Sequence, residues 1–393
     1  MTLNLTIVAV YLVGMLAFGW WGKTRAASSE DYLVAGRRLG PVLFTGTMAA
    51  VVLGGAATVG GVGLGYEFGL SGAWLVAAIG VGVLILSVAF APILARLKIY
   101  TVSQMLRLRY GRGGASHASS FVMLAYTLML AATSTGAYAS IFVVLFGWDR
   151  WLAILAGGLI VLGYSVLGGM WSITLADMAQ FIVMTIGMFA LNLLPAGIGG
   201  VALAAAVAAM MSTASGAIIA AATVMRTDIL PIFRGERTAS EDGAVDDEVE
   251  TEEDLSSHRG WVLGLGLVVL LLAILVPDVV AALTIAYDII VGALFVAIVG
   301  GLLWSRGTGP AAMWSMVAGT LGTLGTTGYL EMNAENRVDG VYANEPIYVG
   351  LAASAVVYVL VSLLTPRTDA RVMEEWRRRS RTGAPDREVT PAA

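Results

Sequence analysis

The stretch AAVAAMMSTASGAII, residues 205–219, decides the fold class because it places three hydroxyl side chains in the middle of an apolar run. The surrounding segment 198–224 has no charged residue and is long enough to cross the roughly 30 Å hydrocarbon core of a bilayer as an α-helix. On that helix Ala209, Ser212 and Thr213 share one face. Two hydroxyl oxygens beside a carbonyl suit a hard cation such as sodium, but membrane Ser and Thr also bond to the preceding turn or allow close helix packing. The stretch alone favours packing.

The composition predicts an all-α polytopic membrane protein. Of 393 residues, 58% are hydrophobic and only 13% are charged, and the mean hydropathy is +0.82. A soluble chain of this length would need more charge to cover its surface. The sequence has no cysteine, which excludes disulfides and thiolate chemistry. It shows no Ser/His/Asp constellation, phosphate-cradling loop or metal cluster, so we expect no enzyme activity, no cofactor and no nucleic-acid partner.

Apolar segments predict eleven spanning helices, which run over Leu3–Gly22, Pro41–Tyr66, Ala73–Ala95, Ala118–Phe146, Trp151–Val166, Ile173–Leu194, Ile198–Val224, Gly260–Val276, Val279–Trp304, Pro310–Tyr329 and Ile347–Leu364. With the N-terminus outside, 21 of the 23 Lys and Arg residues fall in segments on the inner side, and only Arg150 and Arg337 lie outside. The positive-inside rule therefore predicts a multi-pass plasma-membrane protein with its C-terminus in the cytoplasm.

Charge divides the chain into four regions. Residues 1–225 form an N-terminal membrane region, 226–259 an acidic cytoplasmic loop, 260–365 the C-terminal transmembrane helices, and 366–393 a basic cytoplasmic tail. The loop carries ten acidic residues between Glu236 and Asp254, so we expect it to repel itself and remain disordered. Lysine occurs only twice, which together with the acidic run suggests a halophilic host, although GC-rich coding would also favour arginine.

The glycine-rich stretch AAVVLGGAATVGGVGLGYEFGLSG, residues 49–72, predicts an interrupted membrane helix. Gly54 and Gly55 lie near the middle of the second predicted span, and glycine lowers the cost of unwinding. A broken membrane helix exposes carbonyls that bind an ion or a substrate. Close packing of helices through small residues is an equally good interpretation of the stretch.

Five segments, taken together, resemble the sodium:solute symporter family in the order of that family. They are EDYLVAGRRLGP (30–41), IYTVSQMLRLRYG (99–111), YSVLGGMWSITLADMAQ (164–180), LLPAGIGGVALAAAVAAMMSTASGAIIAAATVMRTDIL (193–230) and ALTIAYDIIVGALF (282–295). The resemblance implies a LeuT-type bundle built from inverted repeats, with the sites near the midplane. It implies a sodium site made by the carbonyls of Ala50, Leu53 and Ala209 and the hydroxyls of Ser212 and Thr213.

Three further positions are candidate functional residues. Asp177 matches an acidic position of the family beside the ion's exit path, although in SITLAD it also reads as a carboxylate in the first turn of a helix. Asp288 lies in the middle of an apolar segment, and an intramembrane carboxylate is functional by default. Thr133 on core helix 3 either lines the solute path or serves packing. With Gly54 and Gly55, Asp288 and Thr133 are the expected solute-binding residues.

The chain departs from the family pattern because no segment resembles core helices 6 and 7. The expected bundle is internally shortened, and those helices carry many of the family's solute contacts. The favoured function is a sodium-coupled symporter that imports a small organic solute by alternating access, with sodium, the solute and the bilayer as partners and a homo-oligomer as a source of the missing wall. The alternative is a truncated, non-transporting or regulatory membrane protein, and a sensor ranks third.

Overall fold

The computed structural model describes residues 2–54, 57, 65–66, 69–190, 199–234, 252–276, 279–334 and 340–382, and its regular elements are helices throughout these ranges. In chain order they are α1 Thr2–Lys23, α2 Ser29–Val34, α3 Pro41–Val52, α4 Trp74–Ile85, α5 Ala91–Leu97, α6 Val102–Tyr110, α7 Gly114–Phe146, α8 Arg150–Ala190, α9 Gly199–Val224, α10 Leu230–Arg234, α11 Glu252–Leu275, α12 Val279–Ile290, α13 Val296–Leu303, α14 Gly309–Asn333, α15 Glu345–Leu364 and α16 Ala370–Thr382. Single π-helical turns join α4 to α5, α9 to α10 and α12 to α13.

Eight helices in the described residues are long and apolar enough to cross a membrane. They are Thr6–Lys23, Gly69–Leu97, Gly114–Phe146, Arg150–Gly187, Gly200–Arg234, Leu255–Leu275, Ala281–Leu303 and Glu345–Leu364, and α3 is a shorter apolar helix. Each of the eleven predicted segments overlaps a helix. The predicted span 310–329 lies in α14, which has the length of a span but is not among the eight.

Two predicted boundaries differ from the structure. The helix that contains α9 continues to Arg234, and α11 already begins at Glu252, so both ends of the predicted 226–259 loop are helical. Regular hydrogen bonding extends a helix past the point where its hydropathy falls. The acidic run between these helices lies outside the described residues, as do residues 383–393 of the basic tail.

The chain divides into two compact units, and the first comprises residues 1–80, 127–223 and 249–283. Its central element is α8, against which α1, α2, α3 and α11 pack. Small residues bring these helices close. The Ser172 hydroxyl of α8 donates a 2.8 Å hydrogen bond to the carbonyl of Gly19 on α1.

A break in α8 at Gly168 and Gly169 separates the two spans that the sequence predicts there. Gly169 has φ 55° and ψ −133°, a left-handed conformation that a side chain would strain. The break frees carbonyls of the preceding turn. The Tyr32 hydroxyl from α2 lies 3.3 Å and 3.2 Å from the carbonyl oxygens of Ser165 and Val166 and donates to them. Burial at this position raises the pKa of Tyr32, so the hydroxyl keeps the proton that it donates.

The second unit comprises residues 81–126, 224–248 and 284–393, and a buried arginine fixes one helix end in it. Arg109 of α6 is 1% exposed and donates to the carbonyls of Gly301 (2.7 Å) and Trp304 (2.8 Å) at the end of α13. It also donates to the sulfur of Met373 on α16 at 3.0 Å. Burial lowers the pKa of Arg109, but an arginine stays charged at neutral pH. The guanidinium therefore caps α13 and holds α16 with one side chain.

Replacement of Arg109 tests this role. We expect Arg109→Ala to lower the free energy of unfolding by about 3 kcal/mol, because it leaves buried carbonyls without their charged donor. Arg371→Ala removes an exposed arginine from α16 and serves as the matched control, with an effect within about 0.5 kcal/mol. Chemical or thermal unfolding of the detergent-purified proteins gives both values. Equal stability of the two variants would contradict the capping role.

Candidate functional site

The candidate site begins where α3 ends. Pro41 occupies the start of α3, and the helix ends at Val52, two residues before Gly54. Leu53 has left the helical conformation (φ −77°, ψ 23°), and its N–H donates to the carbonyl of Ala49 at 2.9 Å. The last carbonyls of a helix have no partner within it, and inside a membrane segment no water replaces that partner. The carbonyl oxygens at the end of α3 therefore need a hydrogen-bond donor or a cation from outside this helix.

Thr213 of α9 supplies one such partner. Its hydroxyl lies 3.2 Å from the carbonyl oxygen of Val51 on α3 and 3.3 Å from the carbonyl oxygen of Ala209 one turn earlier on α9. One hydroxyl proton serves two acceptors here, so neither bond is at full strength. The carbonyl oxygens of Val51 and Ala209, on two helices, thus both lie within hydrogen-bond distance of the Thr213 hydroxyl, and we call these three atoms the oxygen cluster.

The absence of a side chain at Gly54 permits this approach. A Cβ atom there would lie 3.1 Å from the Cβ of Thr213 and 3.1 Å from the Val51 carbonyl oxygen, and closer still to the Thr213 hydroxyl. Real Cβ contacts are rarely that short, so any larger residue would displace Thr213 or the end of α3. Gly54 therefore acts on the oxygen cluster. Gly55, its predicted neighbour in the solute site, lies outside the described residues.

The other predicted sodium ligands belong to the same unit. Ala50, Ala209, Ser212 and Thr213 are buried, and Leu53 is half-buried at the end of α3. Val51, which the sequence did not single out, is the α3 residue whose carbonyl accepts from Thr213. The available signal was its position in the last turn before the glycine pair. A set of backbone carbonyls and hydroxyls with no thiolate or imidazole fits a hard cation.

Asp177 lies beside this cluster. Its side chain is 0% exposed, and neither carboxylate oxygen makes a hydrogen bond of normal geometry. The neighbouring hydroxyl is that of Ser212, which also lacks a hydrogen-bond partner. The structure therefore brings together a predicted sodium ligand and the predicted exit-path residue. The first-turn interpretation of Asp177 is wrong, since α8 resumes directly after Gly169 and Asp177 lies two turns further on.

Polar residues that the sequence analysis did not select surround Asp177. Gln180, one turn later on α8, donates to the hydroxyl of Tyr11 on α1 at 3.0 Å. Tyr164 of α8 donates to the carbonyl of Met211 on α9 at 3.3 Å. Gln180 was visible as an amide inside an apolar segment, whereas nothing in the local sequence pointed to the two tyrosines. Together they make a buried polar layer between α1, α8 and α9.

The two remaining solute candidates have different environments. Thr133 is buried in α7, and its hydroxyl donates to the carbonyl of Leu130 on the same helix at 3.0 Å. This bond to the preceding turn is the one expected of a threonine that serves helix packing. Asp288 belongs to the second unit, where it is partly exposed on α12. Within the described chain its carboxylate makes no hydrogen bond or ion pair, which leaves it available to a ligand.

Comparison with known proteins identifies the family. The family model described as "SSF: Sodium:solute symporter family" matches residues 32–194 and 188–319. Sodium/glucose cotransporter 4 of Danio rerio is 27% identical over 199 residues, which are 48% of this chain and 29% of that protein. The osmoregulated proline transporter OpuE of Bacillus subtilis (strain 168) is 26% identical over 192 residues, 45% of this chain and 37% of that protein. The chain thus spans about a third of the length of these curated relatives.

A solved structure shows the same fold. It is the substrate-bound outward-open state of a Na+-coupled sialic acid symporter, and it superposes with a TM-score of 0.69 at 12% identity, covering 93% of this chain and 99% of that one. The proteins matched are transporters rather than enzymes. The chain belongs to the sodium:solute symporter family and has a LeuT-type helical fold.

Proposed function

We propose that this chain is a carrier that couples inward sodium movement to the uptake of a small organic solute. The observation that carries the proposal is the oxygen cluster of Val51, Ala209 and Thr213 at the broken end of α3. Family membership supports sodium as the coupling ion.

Sodium would bind by replacing the hydrogen bonds that the Thr213 hydroxyl donates in this cluster. When the Thr213 hydroxyl turns its proton away, its lone pair and the two carbonyl oxygens face a common point. The carbonyls of Ala50 and Leu53 and the unpartnered Ser212 hydroxyl would complete the shell. Each protein oxygen substitutes for a water molecule of the hydrated ion, which is why hydroxyls lie at the centre of an apolar helix.

Asp177 would assist departure of the ion. A buried carboxylate without a hydrogen bond is costly, and a passing cation relieves that cost. Because Ser212 adjoins both the proposed shell and Asp177, it gives the ion an intermediate ligand. Movement of one charge down the membrane potential supplies about 2.3 kcal/mol per 100 mV, which drives the cycle inward.

The proposal names only the class of the solute, a small organic molecule, and not the compound. The matched relatives are named for glucose and proline, two chemically unlike solutes. We propose that Gly54, Gly55, Thr133 and Asp288 line the solute path, with Asp288 facing a cationic group, a proton or a second ion. The charge asymmetry further supports an outside N-terminus and a cytoplasmic C-terminus in the plasma membrane.

A non-transporting membrane protein is the second candidate. The two family-model matches meet at residues 188–194, which agrees with the loss of core helices 6 and 7 at that point. Without those helices the ion site keeps its ligands, whereas the solute cavity loses a wall that only a second copy would replace. Sodium-driven solute uptake into proteoliposomes separates the candidates, because the second predicts sodium binding without uptake.

The Thr213 hydroxyl gives the first test. We expect Thr213→Ala to weaken sodium binding at least tenfold, since it removes one ligand and the bond to α3, while Thr213→Ser keeps the affinity within about threefold. Sodium binding is followed by tryptophan fluorescence as sodium replaces potassium at constant ionic strength. Thr185→Ala is the matched control, because Thr185 also bonds to its own helix (2.7 Å to Phe181) but away from the cluster. Equal affinities in all four proteins would rule the site out.

Gly54 gives a second, independent test. Gly54→Ala should weaken sodium binding about tenfold and lower the unfolding temperature, because the new methyl group collides with Thr213. Gly14→Ala in α1 has no atom within 4 Å of its added Cβ and should leave sodium affinity unchanged. The same fluorescence titration and a thermal melt report both effects. A Gly54→Ala protein that binds sodium normally would show that the contact is irrelevant to the ion.

Asp177 is tested by the rate of sodium release. We expect Asp177→Asn to slow release about tenfold while it changes sodium affinity less than threefold, because the amide keeps the shape but loses the charge. Release is measured by stopped-flow fluorescence after rapid dilution of sodium. Asp149→Asn, at an exposed position before α8, is the control. Normal release from Asp177→Asn would exclude Asp177 from the exit path.

A further inference from the structure

A polar cavity in the second unit has no role in the proposed transport cycle. We name it the basic cavity; Gln104 and Arg107 of α6, Arg112 and Gly113 of the following turn, His117 of α7, and Asp228 line it, and its volume is about 290 Å³. It lies at the ends of two candidate membrane helices, Gly114–Phe146 and Gly200–Arg234. Such a cavity therefore opens at the boundary between membrane and water.

The charges in the basic cavity favour an anion. Two guanidinium groups, Arg107 and Arg112, face one carboxylate, Asp228. Arg107 is close enough to Asp228 to attract its carboxylate electrostatically. Arginine presents planar paired donors that match the oxygens of phosphate and carboxylate groups.

The start of α7 adds a second source of positive potential. Gly113 has φ 148°, a conformation that favours glycine, and α7 begins at the next residue. The first N–H groups of this 33-residue helix have no partner within it, and its dipole is positive at that end. Gly113 and Ser116 bring this helix start to the cavity wall. Helix starts of this kind bind phosphate groups.

A buried hydroxyl points independently to a ligand. Ser103 lines the basic cavity and is 2% exposed; its hydroxyl makes no hydrogen bond of normal geometry, and its polar neighbour is the carboxylate of Asp228. Asp228 is 7% exposed and accepts from the Thr227 hydroxyl at 3.2 Å. Buried polar atoms are normally satisfied, so the Ser103 hydroxyl indicates that a polar group completes the cavity.

Two exposed aromatic residues flank the basic cavity. Phe121 and Phe233 directly follow two cavity residues, Ser120 and Ile232, and their rings make an edge-to-face contact with centroids 6.5 Å apart. Both side chains are exposed. A ligand with a charged head and an apolar portion could place its head in the basic cavity and its apolar portion against the rings of Phe121 and Phe233.

We propose that the basic cavity binds a phosphate group, either of a soluble phosphate compound or of an anionic phospholipid headgroup. Arg107 and Arg112 hold the phosphate oxygens, the start of α7 contributes backbone N–H groups, and Ser103 donates its unused hydroxyl. Asp228 positions Arg107. The ligand would contact α6, the start of α7 and the end of the helix Gly200–Arg234 at the same time.

The test is ligand-induced thermal stabilisation of the full-length purified protein. One arm titrates inorganic phosphate against potassium chloride at matched ionic strength. The other titrates dihexanoyl phosphatidylglycerol against dihexanoyl phosphatidylcholine. The variants are Arg107→Gln/Arg112→Gln, the milder Arg112→Gln at an exposed position, and the control pair Arg371→Gln/Arg377→Gln, which removes the same charge from exposed positions of α16.

The proposal expects a saturable rise in unfolding temperature with an apparent affinity at least tenfold weaker in the cavity double variant and unchanged in the control pair. Arg112→Gln should show an intermediate loss, which keeps the test valid if the double variant is unstable. Stabilisation by phosphatidylglycerol alone identifies a lipid headgroup, and stabilisation by inorganic phosphate identifies a soluble compound. No saturable effect, or equal effects in wild type and both cavity variants, would overturn the proposal.

Discussion

Backbone carbonyls that a helix releases inside the membrane must find a donor, and much of this structure follows from that constraint. Each helix interruption described above has its own solution. Thr213 donates to Val51 at the end of α3, and Tyr32 donates to Ser165 and Val166 at the break in α8. In the second unit Arg109 donates to Gly301 and Trp304 at the end of α13.

The chemistry of each donor determines whether the interruption is permanent or exchangeable. Arg109 carries a fixed charge and several N–H groups, so nothing small can take its place. Tyr32 is held in the same way by a proton that it does not give up. Thr213 differs because the two carbonyls that share its single proton belong to two helices, α3 and α9, whereas both acceptors of Tyr32 belong to α8. A cation can therefore replace that proton contact and use all three oxygens, which makes this interruption suited to a site.

The residues of the proposed ion site all belong to one compact unit of this chain. The proposed sodium shell and Asp177 come from α3, α8 and α9, which pack within one unit. None of these three helices corresponds to core helices 6 and 7, the segments for which the chain shows no resemblance. The proposed ion site therefore does not depend on core helices 6 and 7.

The sequence by itself determined the helical segments, the division of residues 151–194 into two spans, and the interruption of a membrane helix near Gly54, because hydropathy and backbone freedom are local properties. It also placed Ser212 and Thr213 on one face of their helix. Only the tertiary structure decided that Val51 accepts from Thr213, that Asp177 lies in a polar layer with Tyr11 and Gln180, and that residues 103–117 meet Asp228 around a basic cavity. The contacts of Val51 with Thr213, of Tyr11 with Gln180 and of residues 103–117 with Asp228 join positions roughly 110 to 170 residues apart, so no local pattern encodes them. They arise when apolar helices pack and leave their polar groups to find partners.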